Sequence, residues 1–357
     1  MSITEATAQQ VLSEWVEPAS GKSLAQLQAI KTLSVNDGHI AVTLQLGIPT
    51  KRYQSVLQQA LSDALQYPVQ LQIDNKLLAR QVQPGLKPLE GVKNIIAVAS
   101  GKGGVGKSTT AANLALALAD EGAAVGVLDA DIYGPSQPRM FGVQGRPASP
   151  DGKTVIPMES YGVKVMSIGL LIDEDTPMVW RGPMATGALE QLLRDTRWGE
   201  LDYLVIDLPP GTGDIQLTLS QKIPVSGAVI VTTPQDIALL DARKGLKMFE
   251  KVKIPILGIV ENMSMHICSQ CGHTEHIFGS GGGEQMCQDY NVDFLGGLPL
   301  DLHIRQQADG GQPTVAADPN SALAERYRGI ARATASRLAA QARDYAGKFP
   351  KIVVQNT

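Results

Sequence analysis

The segment that most restricts the possible folds is a glycine-rich loop between an apolar run and a helical pattern. The loop reads GKGGVGKS from Gly101 to Ser108 and matches the phosphate-loop pattern G-x-x-x-x-G-K-[ST]. The run NIIAVAS before it predicts a buried strand, and TTAANLALALAD after it predicts a helix that ends near Gly122. A strand, a phosphate loop and a helix in this order predict an α/β domain that binds a polyphosphate.

Further apolar runs after the loop continue the alternation of strands and helices. They are AAVGVLDAD, DYLVIDLP, GAVIVTTP and IPILGIVENM. Runs of Val, Ile and Leu without polar alternation are typical of parallel strands that are covered by helices on both faces. We therefore predict a doubly wound, mostly parallel sheet of the P-loop NTPase kind. A long helix from about Ser321 to Ala346 is expected to pack on this sheet.

The beginning of the chain has a different pattern, and 357 residues exceed the roughly 250–300 over which one core usually grows. We predict a helix from Thr4 to Val16, a hairpin turn at Asn36-Asp37-Gly38, a second helix in KRYQSVLQQALSDALQ and a strand in PVQLQI. The predicted division is a small α+β accessory domain at 1–83, a Pro- and Gly-bearing linker at 84–91, a P-loop ATPase domain at 92–348 and a tail at 349–357.

Composition excludes several classes of partner. The net charge is −4, with 31 basic and 35 acidic residues, so we expect no nucleic-acid partner. The longest apolar runs fall short of the ~18 residues that a spanning helix needs, so no membrane partner is expected. Three cysteines cannot form a disulfide framework, and the first thirty residues lack the pattern of a secretory signal. These features predict a reducing, cytoplasmic location.

The phosphate loop supplies the first group of candidate binding residues. Its glycines let the backbone curl with N–H groups directed inward, which suits the phosphates of ATP. The residues expected to line this concave loop are Gly101, Gly103, Gly104, Val105 and Gly106.

Four side chains at the same loop have predicted roles. Lys107 is expected to reach the β- and γ-phosphates, the Ser108 hydroxyl to bind Mg²⁺, and Thr109 to contact phosphate. Lys102 is a second lysine that the pattern does not require. From the pattern alone, Lys102 is either a functional cation or a solvated loop residue.

Acidic residues at strand ends predict a magnesium site. Asp207 ends the apolar run YLVID, where a Walker-B carboxylate holds Mg²⁺ through water, although an Asp there can also be a turn cap. Gly211 is placed to direct its amide at a γ-phosphate. Asp129 and Asp131 are two residues apart, so both side chains approach the phosphates and metal if their strand extends that far.

A closely spaced cysteine pair predicts a thiolate metal site. Cys268 and Cys271 are separated by two residues, which allows both sulfurs to bind one iron–sulfur cluster or zinc ion. Three interpretations stay open: a Cys₂His₂ zinc site completed by His273 and His276, a thiol–disulfide pair, or a cluster shared across a twofold axis by two copies. Cys287 is expected to be a half-buried helical residue, and His266 has no assigned role.

Taken in order, KGGVGKST, LDADIYGPS, MVWRGPM, LPPGTGD, TTPQDIALLDARKG, GIVENMS and CSQCGH resemble the Mrp/ApbC family of iron–sulfur cluster carrier ATPases. The resemblance covers residues 92 to about 345, and more distant relatives are septum-site and partition ATPases and the nitrogenase iron protein. It implies an ATPase that binds ATP and Mg²⁺. It also implies a homodimer that holds a labile [4Fe–4S] cluster between its subunits and exchanges it with a donor scaffold and recipient apo-proteins.

The resemblance also implies roles for particular residues. Lys102 is expected to reach the phosphates bound by the other subunit, Asp131 to orient the attacking water, and Asp129 to lie in the outer sphere of Mg²⁺. Asn262 matches an adenine contact, and Pro299 lies where the family lines the base pocket. Lys102, Lys107 and Asp131 are thus the expected catalytic residues.

The amino-terminal region resembles a small domain of some family members and of cluster-assembly factors. It has no cysteine, which predicts docking of a partner or support of the dimer. The alternative functions are a positioning or partition ATPase, an ATP-dependent electron-transfer protein, and a zinc-binding P-loop ATPase.

Overall fold

The computed structural model describes residues 3–36, 38–172 and 182–344. The predicted tail at 349–357 and part of the MVWRGPM segment lie outside these residues. The amino-terminal elements are α1 (Glu5–Glu14), β1 (Val16–Glu17), β2 (Lys22–Ser23), β3 (Ile30–Asn36), β4 (His39–Leu46), α2 (Tyr53–Leu65) and β5 (Val69–Asn75).

These elements form the predicted α+β unit. The strands β3 and β4 pair antiparallel up to Asn36 and His39, so the expected hairpin is confirmed, and β5 adds in parallel to β4. The Thr4 side chain caps α1 by accepting a hydrogen bond from the Thr7 amide. Leu57 and Leu61 of α2 lie on one helix face and are buried in the core of the unit.

The larger part of the chain alternates strands and helices, as predicted. Its elements are β6 (Val92–Ala99), α3 (Lys107–Asp120), β7 (Val125–Asp129), α4 (Gln137–Met140), β8 (Met158–Ser160), β9 (Val163–Ser167), α5 (Gly182–Asp195), β10 (Leu201–Asp207), α6 (Asp214–Lys222), β11 (Gly227–Thr232), α7 (Asp236–Lys251), β12 (Ile256–Ile267), β13 (Thr274–Glu275), α8 (Gly282–Tyr290), β14 (Phe294–Pro299), α9 (Leu302–Asp309), α10 (Thr314–Ala317) and α11 (Ala322–Ala339).

One sheet organises these elements, and its strand order is β13-β12-β11-β6-β10-β7-β9-β8, with β14 also pairing with β12. The pairings of β8 and β13 are antiparallel and the others are parallel, which confirms the predicted mostly parallel sheet. Successive residues of β6 face opposite sides: Ile96 and Val98 pack with α3 and α11, whereas Ile95 packs with α5, α6 and α7. The sheet is therefore covered on both faces.

The amino-terminal unit is attached to the end of α3. Glu121, which is 1% exposed, follows this helix and accepts hydrogen bonds from the backbone amides of Arg52 and Tyr53 at 2.9 and 3.0 Å. The same carboxylate pairs with the Arg332 guanidinium of α11 at 2.5 Å, and that guanidinium lies 4.3 Å from the centre of the Tyr53 ring. A buried ionic contact thus joins the unit to two helices of the larger domain.

The last long helix is shorter than predicted. It begins after its cap Ser321, as expected, but ends at Ala339 and not near Ala346. The chain then pairs with the segment before β6: the Gln81 amide donates to Ala342, and the Asp344 amide donates to Ala79. These main-chain hydrogen bonds replace those that a longer helix would make. The helices of residues 3–36, 38–172 and 182–344 are all too short or too polar to span a bilayer.

We predict that Glu121→Ala lowers the free energy of unfolding by about 2–4 kcal/mol, because the buried Arg332 guanidinium keeps only its second carboxylate, Glu325, and the Arg52 and Tyr53 amides lose their acceptor. Glu250→Ala is the matched control, since Glu250 pairs with Lys247 on the exposed face of α7 and its loss should cost less than about 1 kcal/mol. Urea unfolding of both variants measures the difference. Equal losses would show that Glu121 does not secure the junction.

Candidate functional site

The phosphate loop joins the end of β6 at Ala99 to the start of α3 at Lys107. Gly106 has a φ of +83°, and a Cβ there would lie 2.2 Å from the Asn262 amide nitrogen. A Cβ on Gly101 would lie 2.2 Å from the Asp241 carbonyl carbon of α7. Glycine is therefore required at both ends of the loop, because the loop is wedged between α7 and β12.

The lysine of the loop lies in a buried ionic contact. The Lys107 ammonium contacts the Asp207 carboxylate at the end of β10, and these side chains are 6% and 0% exposed. The Ser108 hydroxyl lies 3.3 Å from the same ammonium. The structure therefore brings together the predicted phosphate-binding lysine and two of the three residues predicted to hold Mg²⁺, Ser108 and Asp207.

Gln137 is a residue of this site that the sequence analysis missed. Its side-chain amide donates to Asp207 at 2.8 Å and to the Ser108 carbonyl at 3.0 Å, and it is fully buried. It begins the short helix α4 and connects the loop to the Walker-B carboxylate. The only sequence signal was its position directly after LDADIYGPS.

Asp129 ends β7 and is completely buried. Its carboxylate accepts hydrogen bonds from the backbone amides of Asp131, Ser136 and Gln137 at 2.9–3.1 Å and from the Ser167 hydroxyl at 3.2 Å. Burial, with the nearby Asp207 carboxylate, raises the pKa of Asp129 to about 7. Asp129 therefore stabilises the turn after β7 and places a carboxyl group near the phosphate loop.

The strand β7 ends at Asp129, so the condition under which Asp129 and Asp131 would extend from one strand is not met. The strand ends at Asp129 because the Asp129 carboxylate accepts a hydrogen bond from the Asp131 amide, and the chain turns there. Asp131 is half-buried, and burial raises its pKa although Lys107 lowers it. Three carboxyl groups, those of Asp129, Asp131 and Asp207, thus lie near the single ammonium of Lys107. Such a set of carboxylate oxygens fits the preference of Mg²⁺ for oxygen ligands.

Two predicted residues lie beside the loop. The Gly211 amide donates to the Ser100 carbonyl at 3.0 Å, so its predicted contact with a γ-phosphate requires this hydrogen bond to break. Lys102 is half-buried, and no ion pair involves it within the described ranges. Thr109 follows Ser108 in the first turn of α3.

Asn262 and Pro299 come from the adjacent strands β12 and β14. The Asn262 side-chain amide donates to the Val105 carbonyl at 2.9 Å, which fixes the phosphate loop against β12. Pro299 ends β14, is buried and pairs with Met265 of β12. Both residues lie in these paired strands, and their contacts with an adenine ring stay predictions.

The cysteine pair occupies the turn between β12 and β13. The turn is closed by hydrogen bonds between Cys268 and His273 at 2.9 Å and between Gly272 and Cys268 at 2.9 Å. Cys271 is exposed and Cys268 is half-exposed. Backbone N–H groups of Cys271 and Gln270 donate to the Cys268 sulfur and lower its pKa. Two thiols are therefore presented to the outside at the tip of a hairpin.

The histidines beside the pair do not complete a zinc site. His276 contacts the Ser264 carbonyl at 2.7 Å, and the His273 ring lies 3.9 Å from the Glu275 carboxylate. Across the part of the chain that the structure describes, no three His, Cys, Asp or Glu side chains gather as metal ligands. A Cys₂His₂ site is therefore not assembled among the described residues, and the zinc interpretation gains no support from the geometry.

His266 contacts the Leu300 carbonyl at 3.2 Å and adds a small lowering of the Cys268 pKa. Cys287 lies in α8, as expected, but it is buried at 5% exposure and not half-buried. Burial, with the charges of Asp293 and Glu284, raises the pKa of Cys287 to about 12. This thiol is therefore separate in place and chemistry from the exposed pair.

Two known protein families match this chain. Residues 91–335 match the family described as the NUBPL iron-transfer P-loop NTPase, and residues 5–71 match the family described as iron–sulfur cluster assembly protein. The second match supports the weak resemblance that the sequence showed in the amino-terminal unit.

Individual relatives agree with these matches. An iron–sulfur cluster carrier protein of Haemophilus influenzae is 51% identical over 92% of this chain and 91% of its own length. One of Pseudomonas fragi is 63% identical over 73% of this chain and 92% of its own length. The iron–sulfur cluster transfer protein NUBPL of Mus musculus is 54% identical over 71% of this chain and 81% of its own length.

Solved structures show the same fold. A nucleotide-binding protein of Archaeoglobus fulgidus in complex with ADP is 40% identical, with a TM-score of 0.55 over 62% of this chain and 88% of that chain. The cell division ATPase MinD of Pyrococcus furiosus has a TM-score of 0.52 at 24% identity, over 67% of this chain and 97% of that chain.

We predict that iodoacetamide modifies Cys268 and Cys271 of the native, metal-free protein well before Cys287, because only the first two thiols are exposed. The modification rate of Cys268 should reach half its maximum at a lower pH than in the urea-unfolded chain, since backbone donors stabilise its thiolate. Mass spectrometry of peptides measures all three rates, and Cys287 is the internal control. Similar rates at the three positions would contradict the described turn.

Proposed function

The chain belongs to the family of NUBPL-type iron-transfer P-loop NTPases, and from this we propose that it is an ATP-dependent carrier of [4Fe–4S] clusters. The nucleotide is expected at the phosphate loop, with Mg²⁺ beside Ser108 and Asp207. The cluster is cargo that Cys268 and Cys271 bind. A donor scaffold supplies it, and recipient apo-proteins in a reducing cytoplasm receive it.

The observation that carries the proposal is the incomplete ligand set at the β12–β13 turn. Two thiols are presented outward, and within residues 3–36, 38–172 and 182–344 no third metal-binding side chain joins them. A cubane cluster takes four thiolates. A twofold axis beside the turn supplies the other two from a second copy, so the site favours a homodimer with one shared cluster.

The surface beside the phosphate loop supports pairing of two copies. Ile237 and Leu240 of α7 are 68% and 53% exposed, and the next residue, Asp241, packs against Gly101 of the loop. Exposed aliphatic residues next to a nucleotide site are well suited to burial between subunits. In this arrangement Lys102 reaches the phosphates of the opposite subunit and stabilises charge that develops during hydrolysis, as an arginine finger does.

The buried site contains the groups that hydrolysis needs. Lys107 now contacts Asp207; on nucleotide binding its ammonium turns to the phosphates and leaves that carboxylate for Mg²⁺ and its waters. Asp131 is half-buried near Lys107 and is the residue proposed to orient the attacking water. Asp129 keeps the turn in place through its four hydrogen bonds.

A single strand connects the nucleotide loop to the cysteines. Asn262 of β12 holds the Val105 carbonyl of the loop, and the same strand leads directly to Cys268. The stretch contains an irregularity at Met263, which has a φ of +57°, so it spans less than the roughly 20 Å of six fully extended residues. If ATP shifts the loop, the strand transmits the shift to the cysteine turn, so the nucleotide state can change how tightly the paired turns hold the cluster.

Cluster binding is tested with cysteine variants. After anaerobic reconstitution with iron and sulfide, Cys268→Ala/Cys271→Ala should lose the visible chromophore and bind ATP with unchanged affinity. Cys287→Ala is the matched control and should keep four irons per dimer, as counted with the sedimentation mass. A chromophore retained by the double variant, or a full cluster on a monomer, would refute the assignment.

The role of the second lysine is tested by ATP turnover. Lys102→Ala should bind nucleotide almost normally and lower kcat by about 10³-fold or more, because it removes a cation from the transition state. Lys107→Ala should lose nucleotide affinity. Lys153→Ala changes an exposed lysine outside the phosphate loop and should alter neither nucleotide affinity nor kcat. An unchanged kcat in Lys102→Ala would exclude a catalytic role.

A further inference from the structure

A cleft of about 400 Å³ lies where the amino-terminal unit meets the end of α11. Its walls come from β2 to β4, from the segment after β5 and from the last turn of α11 and the residues behind it. At the base, Gly47 lies against α11 so closely that a Cβ there would be 3.1 Å from the Ala339 Cβ. The cleft is therefore a closed junction between two parts of the fold, the kind of place where small ligands bind.

The cleft is strongly cationic. Its basic lining residues are Lys22, Lys31, Lys76, Arg80, Arg337 and Arg343. A chain with a net charge of −4 thus gathers six cations around one small volume. Like charges at this density repel one another, and an anion between them would relieve that repulsion.

Among the described residues, the one carboxylate that lines the cleft is Glu17, and it forms no ion pair with these cations. Glu17 is 1% exposed and accepts hydrogen bonds from the backbone amides of Ala19 and Ser20 and from the Tyr53 hydroxyl, at 2.7–2.9 Å. Its oxygens are therefore directed at its own turn and at α2. Asp293, which does not line the cleft, pairs with one of the cations, Arg337, at 3.0 Å.

Four of the six cations are not held by a carboxylate in the part of the chain that the structure describes. Among the described residues, Lys22, Lys31, Lys76 and Arg343 form no ion pair. The Nε atom of Arg337 is buried and has no hydrogen-bond acceptor there, although the rest of its guanidinium holds Asp293 and the Ser20 carbonyl. A buried donor without an acceptor is costly, and this donor belongs to a side chain that lines the cleft.

We infer that this cleft is a binding site for a small, multiply charged anion that carries carboxylate or phosphate groups. The volume fits a compact molecule and is too small for a folded partner. The site is separate from the phosphate loop and the cysteine turn, and a bound anion would link the amino-terminal unit to α11. The inference does not depend on the cluster-carrier function.

Isothermal titration calorimetry of the full chain tests it with two probes, citrate for carboxylates and tripolyphosphate for phosphates. Magnesium-free buffer with excess ADP keeps the phosphate loop occupied. Lys22→Gln/Lys76→Gln should weaken the binding of the probe about tenfold, because two cations are removed from the site. The matched control Lys153→Gln/Lys251→Gln removes the same charge elsewhere and should leave the affinity within about twofold.

Binding of citrate alone assigns the site to carboxylates, binding of tripolyphosphate alone assigns it to phosphates, and binding of both supports a general polyanion site. No binding of either probe, or equal weakening in both double variants, overturns the proposal. Hydrogen exchange of the unmutated chain locates the probe independently of any variant. Citrate or tripolyphosphate should slow exchange in residues 22–31 and 336–343, and protection that excludes these segments also overturns it.

Discussion

The buried contact between Lys107 and Asp207 is the interaction around which the site is arranged. A lysine that is 6% exposed is stable there because carboxylates from two neighbouring strands surround it. The contact ties the first turn of α3 to the end of β10, and Gln137 ties both to α4. These are also the groups that ATP and Mg²⁺ would engage. The charges that stabilise this centre are therefore those that nucleotide and metal binding would rearrange.

The order of strands and helices could be read from the sequence because the physical signals were local. The glycine pattern of the phosphate loop, the Val and Ile runs of the parallel strands and the turn before His39 each depend on neighbouring residues. Asp207 and the Lys107 loop were also predictable, because parallel strands place their carboxyl ends at one edge. The closeness of Cys268 and Cys271 was predictable, since only two residues separate them, and their binding of a metal stays a prediction.

What could not be predicted depends on contacts between distant segments. Gln137 belongs to the site because α4 folds back onto β10, and no local pattern marks it. The end of α11 at Ala339 depends on pairing with the segment around Arg80, some 260 residues earlier, as the contact between Arg80 and Gln341 shows. The separation of Asp131 from Asp129 depends on which amides one buried carboxylate accepts. The partners of His276 and His273, the Ser264 carbonyl and the Glu275 carboxylate, were likewise not readable from the sequence.

The helix α3 has a property that follows from its two ends. Its first residue is Lys107 of the phosphate loop, and Glu121, just beyond its last turn, holds the backbone of Arg52 and Tyr53. Fourteen helical residues make a stiff rod of roughly 21 Å. A displacement of the phosphate-loop end would therefore be carried along the helix to the amino-terminal unit. A protein seated on that unit would sense hydrolysis mechanically, without touching either ATP or the cysteines.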